Sequence, residues 1–288
     1  MADGHAGAGG PKPLDRVRTG LRSRHCSRCT EKAYVLWTRR YIRFHEMRHP
    51  SEMGAPEISA FLSHLAGEGK VSASTQNQAA CALLFLYRHI LGRDPGDLGQ
   101  VVRARKPERL PVVMTRQEVQ DVLLHMEGDT WLMASLMYGS GLRLMECLSL
   151  RVQHVDFGSQ TIHVRDGKGS RDRTTVLPAA LSGPLRRHLK RVQELHRRDL
   201  SDGFGRVELP DALARKYPNA ATEWGWQWVF PQRSRWRNRA TGQQGRHHCD
   251  PSILQRAVRE AVRKAGITKH ATCHTFGHAF ATHLLEDA

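Results

Sequence analysis

Hydrophobic side chains recur at three- and four-residue spacing along most of the chain, and this period predicts a mostly helical protein. In the first hundred residues the pattern predicts three helices, of which the first starts at Thr30 as N-cap. The second covers residues 56–65 and the third residues 74–91, ended by Gly92 and Pro95. The apolar stripe of the first helix is aromatic, which favours core packing over base stacking: Tyr34, Trp37, Tyr41 and Phe44.

The second half of the chain combines helical spacing with a short stretch of strand-like alternation. A capping box at Thr115 and Glu118 opens it, and an apolar helix over 131–138 is broken at 139–141 and resumes over 142–150. Two β-rich runs, 161–164 and 174–177, flank a glycine-rich turn and predict an antiparallel hairpin. Further helices are expected over 181–195, over 251–265 and from near Thr275. The fold class is therefore mostly α with a small antiparallel β-hairpin sheet.

Composition shifts divide the chain. Residues 1–13 are rich in Gly and Ala and are expected to form a disordered tail. A helical domain follows over 14–102, then a basic, proline-containing linker over 103–111, and an α+β domain over 112–288. The linker carries Arg103, Arg105 and Lys106, which suit either a phosphate backbone or a solvated tether.

The charge balance points to a polyanionic partner. The chain has 44 Lys and Arg against 28 Asp and Glu, a net charge of +16. Because the basic residues are spread along the chain, nucleic acid is favoured over a membrane surface. No apolar stretch reaches the length of a membrane span and the N-terminus has no secretory core, so we expect a cytoplasmic, nucleoid-associated protein. Cys26 and Cys29 form a Cys-x-x-Cys pair without convincing further ligands, so neither metal nor cofactor is expected.

Three local patterns carry candidate chemistry. In the first, a glycine break precedes Arg143 at a helix start, which aims its guanidinium at an anion, with Glu146 one turn away to orient it. In the second, Lys168 lies at the hairpin turn and could donate a proton to a leaving hydroxyl. In the third, His274 begins a helix and shares a face with position 277. Taken singly, each pattern has a simpler interpretation: Arg143 as a surface arginine at a helix start, Lys168 as a common turn lysine and His274 as a helix cap.

Taken together and in this order, the three patterns resemble the tyrosine recombinase, or phage integrase, family. The resemblance implies an N-terminal helical core-binding domain followed by a catalytic domain. It implies that Arg143 is the first catalytic arginine, Lys168 the general acid and His274 the catalytic histidine. The implied reaction needs no metal: a tyrosine attacks the scissile phosphate to form a 3′-phosphotyrosine, and the arginines and histidine stabilise the charge on phosphorus.

The stretches 209–219 and 223–231 are similar to the extra segment of integron integrases, here placed at about 205–248. In that subgroup the segment holds extrahelical bases of folded single-stranded sites, so we expect folded hairpin sites and duplex recombination sites as partners. Trp226 and His247 are the expected base contacts, although alternate tryptophans of this segment could pack inward. The expected phosphate contacts are Arg39, Arg43, Arg103, Arg105, Lys106, Arg215, Lys216 and Arg246.

Two departures from the family pattern bear on activity. Gly277 stands where the resemblance places the second arginine, so the clamp on the phosphate is missing. The last tyrosine in the sequence is Tyr217, and the family's Gly-His segment, nucleophile and exchanged terminal helix would lie after residue 288. We therefore expect a C-terminally incomplete chain that binds DNA, does not cleave it, and lacks the basis for the family's tetramer. Two alternatives stay open: a non-catalytic remnant that occupies recombination sites, and a regulatory RNA-binding helical protein.

Overall fold

The structure is a computed structural model that describes residues 13–96, 110–165, 172–209, 211–239 and 241–287. The chain divides into two compact units, Met1–Arg109 and Leu110–Ala288. Within the described ranges no helix is both long and apolar enough to cross a membrane.

The first unit is helical throughout its described part. Its elements are α1 (Pro13–Arg22), α2 (Arg28–Phe44), α3 (Ala55–Gly67) and α4 (Ala73–Phe85), which continues as a π-helical turn over Leu86–Leu91. Tyr41, Phe61 and Tyr87 are fully buried between these helices, and the hydroxyls of Tyr41 and Tyr87 lie 2.8 Å apart. The aromatic stripe of α2 is therefore core at Trp37 and Tyr41.

Two expectations for this unit were wrong or incomplete. The N-cap of α2 is Ser27, whose hydroxyl accepts from the backbone N–H of Thr30 at 3.1 Å, so the helix begins before the apolar stripe does. Helix α1 was not predicted, because only Val17 and Leu21, one turn apart, are buried in an otherwise charged segment. Such a short apolar stripe does not rise above the surrounding polar residues.

The second unit mixes helices with two small sheets. Its helices are α5 (Arg116–Leu124), α6 (Gly128–Ser140), α7 (Leu144–Leu148), α8 (Ala179–Ser201), α9 (Asp211–Lys216), α10 (Pro251–Lys264) and α11 (Cys273–Glu286). Its strands are β1 (Val155–Asp156), β2 (Thr161–Val164), β3 (Arg173–Val176), β4 (Pro231–Arg237) and β5 (Gln244–His248). The predicted fold class, mostly helical with small antiparallel sheets, is confirmed.

The first sheet is an antiparallel meander in the order β1-β2-β3, and it contains the predicted hairpin. Ile162 pairs with Thr175 and Val164 with Arg173. The two-residue period of β2 buries Ile162 and Val164 in the core, and sends the intervening side chains to the other face.

The second sheet pairs β4 with β5, a hairpin that the sequence pattern did not predict. The sequence missed this hairpin because its inward positions are charged. Arg235 and Arg246 are register partners, and both bind the buried carboxylate of Asp199 on α8. An ion pair of this kind leaves no hydrophobic alternation to detect.

Helix α6 forms the centre of the second unit and ends where the candidate site begins. Leu132, Met133, Leu136 and Met137 are almost completely buried, against Phe276 of α11 among others. Gly141 ends the helix with φ +61°, and a Cβ atom on it would lie 2.5 Å from the ring of Phe280. Glycine is required there both by the left-handed backbone and by the close approach of α11.

Candidate nucleic-acid site

Arg143 lies two residues after Gly141 and is the N-cap residue of α7. Its backbone N–H donates to Glu146 Oε2 at 2.9 Å, and its Nη1 donates to Oε1 at 2.7 Å. Half of the Arg143 side chain (52%) is nevertheless exposed. The contact with Glu146, expected from the sequence, fixes the guanidinium while leaving donors free for an external anion.

The same carboxylate binds a second arginine that the sequence reasoning missed. Arg173 on β3 donates two hydrogen bonds to Glu146, at 2.8 and 2.7 Å, and a third to the carbonyl of Gly141 at 3.2 Å. The neighbouring inward residue, Thr175, donates to the carbonyl of Ser140 at 2.8 Å. Because alternate residues of a strand share a face, the sequence of β3 already indicated that Arg173 and Thr175 lie on the same side of the sheet.

The charge state of Glu146 follows from this arrangement. Burial would raise its pKa, but the hydrogen bonds from Arg173 and from the amide and side chain of Arg143 outweigh burial and hold the pKa at about 2. The carboxylate is therefore anionic at neutral pH and faces two guanidinium groups. The cluster of Arg143, Glu146 and Arg173 keeps a net positive charge.

Helix α11 supplies the other predicted catalytic side chain. His274 is the second residue of the helix, two residues after the N-cap Thr272, and its side chain is exposed. Gly277 lies one turn further along, and a Cβ atom on it would meet no atom within 4 Å. The packing of Phe280 on Gly141 brings α11 beside the segment that leads to Arg143. Arg143 and His274 thus lie on neighbouring elements, whereas Lys168 falls outside the described residues.

The tryptophan-rich segment is built around a buried arginine, Arg151. Its Nη1 donates to the carbonyl of Trp226 at 2.6 Å and its Nη2 to the carbonyl of Glu208 at 2.8 Å. Its guanidinium carbon lies 3.7 Å from the centroid of the Trp228 ring, within cation–π distance. Trp228 is buried, whereas Trp226 is only half-buried. At least one tryptophan of this segment therefore packs inward, which was the alternative to base contact.

His247 extends this aromatic group. Its ring is parallel to that of Trp228, with centroids 5.8 Å apart and planes 6° apart, and its side chain is 43% exposed. Arg246 is held inside the unit: its Nη2 donates to Asp199 Oδ1 at 2.9 Å and its Nη1 to the carbonyl of Gln232 at 3.1 Å. Its side chain is 12% exposed. The structure therefore shows Arg246 supporting β5.

The remaining predicted phosphate contacts divide into two groups. Arg39 and Arg43 are exposed on α2, and Arg215 and Lys216 are exposed in the last turn of α9. Three others, Arg103, Arg105 and Lys106, lie outside the described residues.

Comparisons with known proteins place this chain in one family. Residues 14–97 match the N-terminal SAM-like domain of phage integrases, and residues 113–288 match the phage integrase family. The chain therefore belongs to the phage integrase family. It is a tyrosine recombinase, of the class that carries out site-specific DNA recombination.

Two curated relatives, each named integrase/recombinase, come from Escherichia coli and Pseudomonas aeruginosa. Each is 48% identical over 274 residues, which cover 95% of this chain and 81% of the relative. Among solved structures, a lambda integrase dimer bound to a core site has TM-score 0.61 at 15% identity, covering 96% of this chain and 86% of that chain. The XerH recombinase bound to a palindromic difH substrate has TM-score 0.58 at 16% identity, covering 96% of this chain and 74% of that chain. At these identities the structures support the shared fold.

The depressed pKa of Glu146 predicts a pH-dependent contribution to stability. The folded-state pKa of about 2 lies below the ordinary value of 4.5, so the contribution is complete above pH 4.5 and is lost as the pH falls from 4.5 towards 2. It amounts to at most about 3 kcal/mol. In Glu146→Gln this contribution is absent. We expect the difference in unfolding free energy between wild type and Glu146→Gln to shrink from about pH 5 to about pH 3, in urea unfolding followed by tryptophan fluorescence.

Glu260→Gln is the matched control, because Glu260 is exposed on α10 and pairs only at the surface with Lys264. Its difference from wild type should be small at every pH. If the Glu146→Gln difference were also constant over this range, Glu146 would not be the anionic centre of the cluster.

Proposed function

We propose that this chain is an integron-type recombinase that binds folded single-stranded hairpin sites and duplex recombination sites of gene cassettes. In this proposal the segment 205–248 holds unpaired bases, while Arg143, His274 and Lys168 serve the scissile phosphate. Such work on bacterial DNA takes place in the cytoplasm, at the nucleoid. The observation that carries the proposal is the half-buried ring of Trp226, which lines a cavity together with Arg151, the residue that binds the Trp226 carbonyl.

The cavity has a volume of about 680 Å³ and is lined by both Trp226 and Trp228. Stacking of an unpaired base on an aromatic ring is worth roughly 1–3 kcal/mol. Arg151 binds the backbone carbonyl of Trp226 at 2.6 Å, and its guanidinium carbon lies 5.6 Å from the centroid of the Trp226 ring, so the backbone that carries the ring is fixed before DNA arrives. His247, stacked parallel to Trp228, is the proposed second base contact.

Cationic groups supply the non-specific part of the proposed binding. Arg215 and Lys216 are exposed on α9 of the same segment, and Arg39 and Arg43 are exposed on α2. Neutralising phosphates releases condensed counterions, which suits a chain with a net charge of +16. The linker residues Arg103, Arg105 and Lys106 are proposed phosphate contacts on charge alone. For Arg246 we propose an indirect role, because its bonds to Asp199 fix the strand that carries His247.

Binding to a hairpin with unpaired bases, compared with the same hairpin fully paired, tests this function. We expect wild type to prefer the unpaired form in gel-shift titrations, and Trp226→Ala to lose about fivefold to a hundredfold of its affinity for that form only. Tyr217→Ala is the matched control, since Tyr217 is an exposed aromatic residue of the same segment (48% exposed). Equal losses on both DNAs, or no preference in wild type, would count against recognition of unpaired bases.

We further propose that Gly277 leaves this chain able to bind the scissile phosphate but not to cleave there efficiently. A guanidinium at this position would add charge-assisted hydrogen bonds to the phosphate, and the structure leaves open space for its Cβ. Arg143, with its half-exposed side chain, is then the arginine available to the phosphate. In this proposal the chain occupies recombination sites through Arg143 but lacks the second arginine at position 277.

The variant Gly277→Arg tests this part of the proposal. Its affinity for a duplex recombination site should rise by about tenfold or more, because a hydrogen-bonded charged pair is worth about 1.5–3 kcal/mol. Gly67→Arg, at an open glycine position on α3, adds the same charge elsewhere and should raise affinity much less. If both variants gained equally, the gain would be general electrostatics. A covalent protein–DNA adduct formed by the unmodified chain would contradict the proposed loss of cleavage.

A further inference from the structure

The cavity beside Trp226 has a cationic end that base stacking does not explain. Its walls come from three parts of the second unit: the outward face of β2 with Arg165 and Asp172, the segment after α7, and the segment 205–248. The lining residues with charged or titratable side chains are Arg151, His154, His163, Arg165 and Asp172.

The strand alternation explains why these groups meet. Because Ile162 and Val164 of β2 are buried in the core, His163 and the following Arg165 project from the opposite face. Leu213 of α9 and Trp226 line the same cavity, so residues of the segment 205–248 lie across the cavity from that outer face.

The described residues that line the cavity carry an excess of positive charge. The one carboxylate among them, that of Asp172, binds Arg165. Arg151 is 7% exposed, and among the described residues no carboxylate lies within ion-pair distance of it; its partners are two carbonyl oxygens. Burial accordingly lowers the pKa of Arg151 to about 10. Burial, together with Arg151 and Arg165, lowers the pKa of His154 to about 4, so this ring is neutral at neutral pH.

We propose that this cavity is an anion subsite that binds the phosphate of the unpaired nucleotide whose base stacks on Trp226. The inference rests on the proposed function, since it adds a second contact to the same nucleotide. A buried guanidinium without a counter-charge is costly, and a phosphate beside it would supply that charge. A nucleotide carries a flat ring and a phosphate on one sugar, which matches an aromatic wall beside a cationic end. A metal ion would be repelled by the same guanidinium groups.

Titration with small molecules tests the subsite in the full chain, with imidazole and indole signals followed by NMR. The probes are deoxythymidine monophosphate, deoxythymidine and inorganic phosphate. We expect the monophosphate to shift the His154, His163 and Trp226 signals, deoxythymidine to shift Trp226 alone, and phosphate to shift the histidines alone. Monophosphate affinity should exceed that of deoxythymidine by about tenfold or more, as for a charge-assisted contact.

The double variant His163→Gln, Arg165→Gln should remove most of this tenfold advantage and leave deoxythymidine binding unchanged. Arg263→Gln, an exposed arginine of α10 that does not line the cavity, is the control for lost charge and should leave both affinities unchanged. Equal binding of monophosphate and deoxythymidine to wild type would overturn the inference, as would equal loss in the control variant.

The two proposals fail in different ways. If wild type prefers hairpins with unpaired bases through Trp226 but shows no phosphate-dependent binding, the anion subsite is wrong and the proposed function stands. If neither the hairpin preference nor the nucleotide shifts are observed, both are wrong.

Discussion

One buried carboxylate, that of Glu146, determines the geometry on which the proposed phosphate site depends. It receives the amide and guanidinium of Arg143 and two hydrogen bonds from Arg173. Two guanidinium groups this close would repel each other without an anion between them. The carboxylate therefore joins β3 to the start of α7 and sets the direction of the half-exposed Arg143. Because its pKa is held at about 2, this connection persists over the physiological pH range.

Arg151, eight residues after Arg143, is stabilised in a different way. Arg151 is also buried, but carbonyl oxygens and the face of Trp228 take the place of a carboxylate. The first arrangement gives a guanidinium that is neutralised in part and points outward. The second gives an aromatic wall next to a positive charge that no carboxylate of the described residues pairs with. The proposed function, with a phosphate held in one place and an unpaired base in another, uses both arrangements, and residues 143–151 supply both arginines.

The sequence predicted those parts of the fold that rest on hydrophobic periodicity and glycine chemistry. The β2–β3 hairpin and the break near Gly141 follow from alternation and from a backbone that only glycine adopts easily. The Arg143–Glu146 contact follows from one helical turn. By contrast, the β4–β5 sheet and the role of Arg246 depend on Asp199 of α8, 47 residues away in sequence. Ion pairs between residues distant in sequence leave no local pattern. The contact of Arg173 with Glu146, the contact of Arg246 with Asp199 and the burial of Arg151 are therefore seen only in the folded chain.

The central claim is that the tryptophan-rich segment contacts unpaired bases of folded DNA, and photocrosslinking measures this contact most directly. A hairpin carrying 5-iododeoxyuridine at an unpaired position would be irradiated with the full chain, digested with trypsin and analysed by mass spectrometry. We expect a cross-link within the tryptic peptide 217–233, at Trp226. A cross-link confined to α2 of the first unit, with none in this peptide, would contradict this contact.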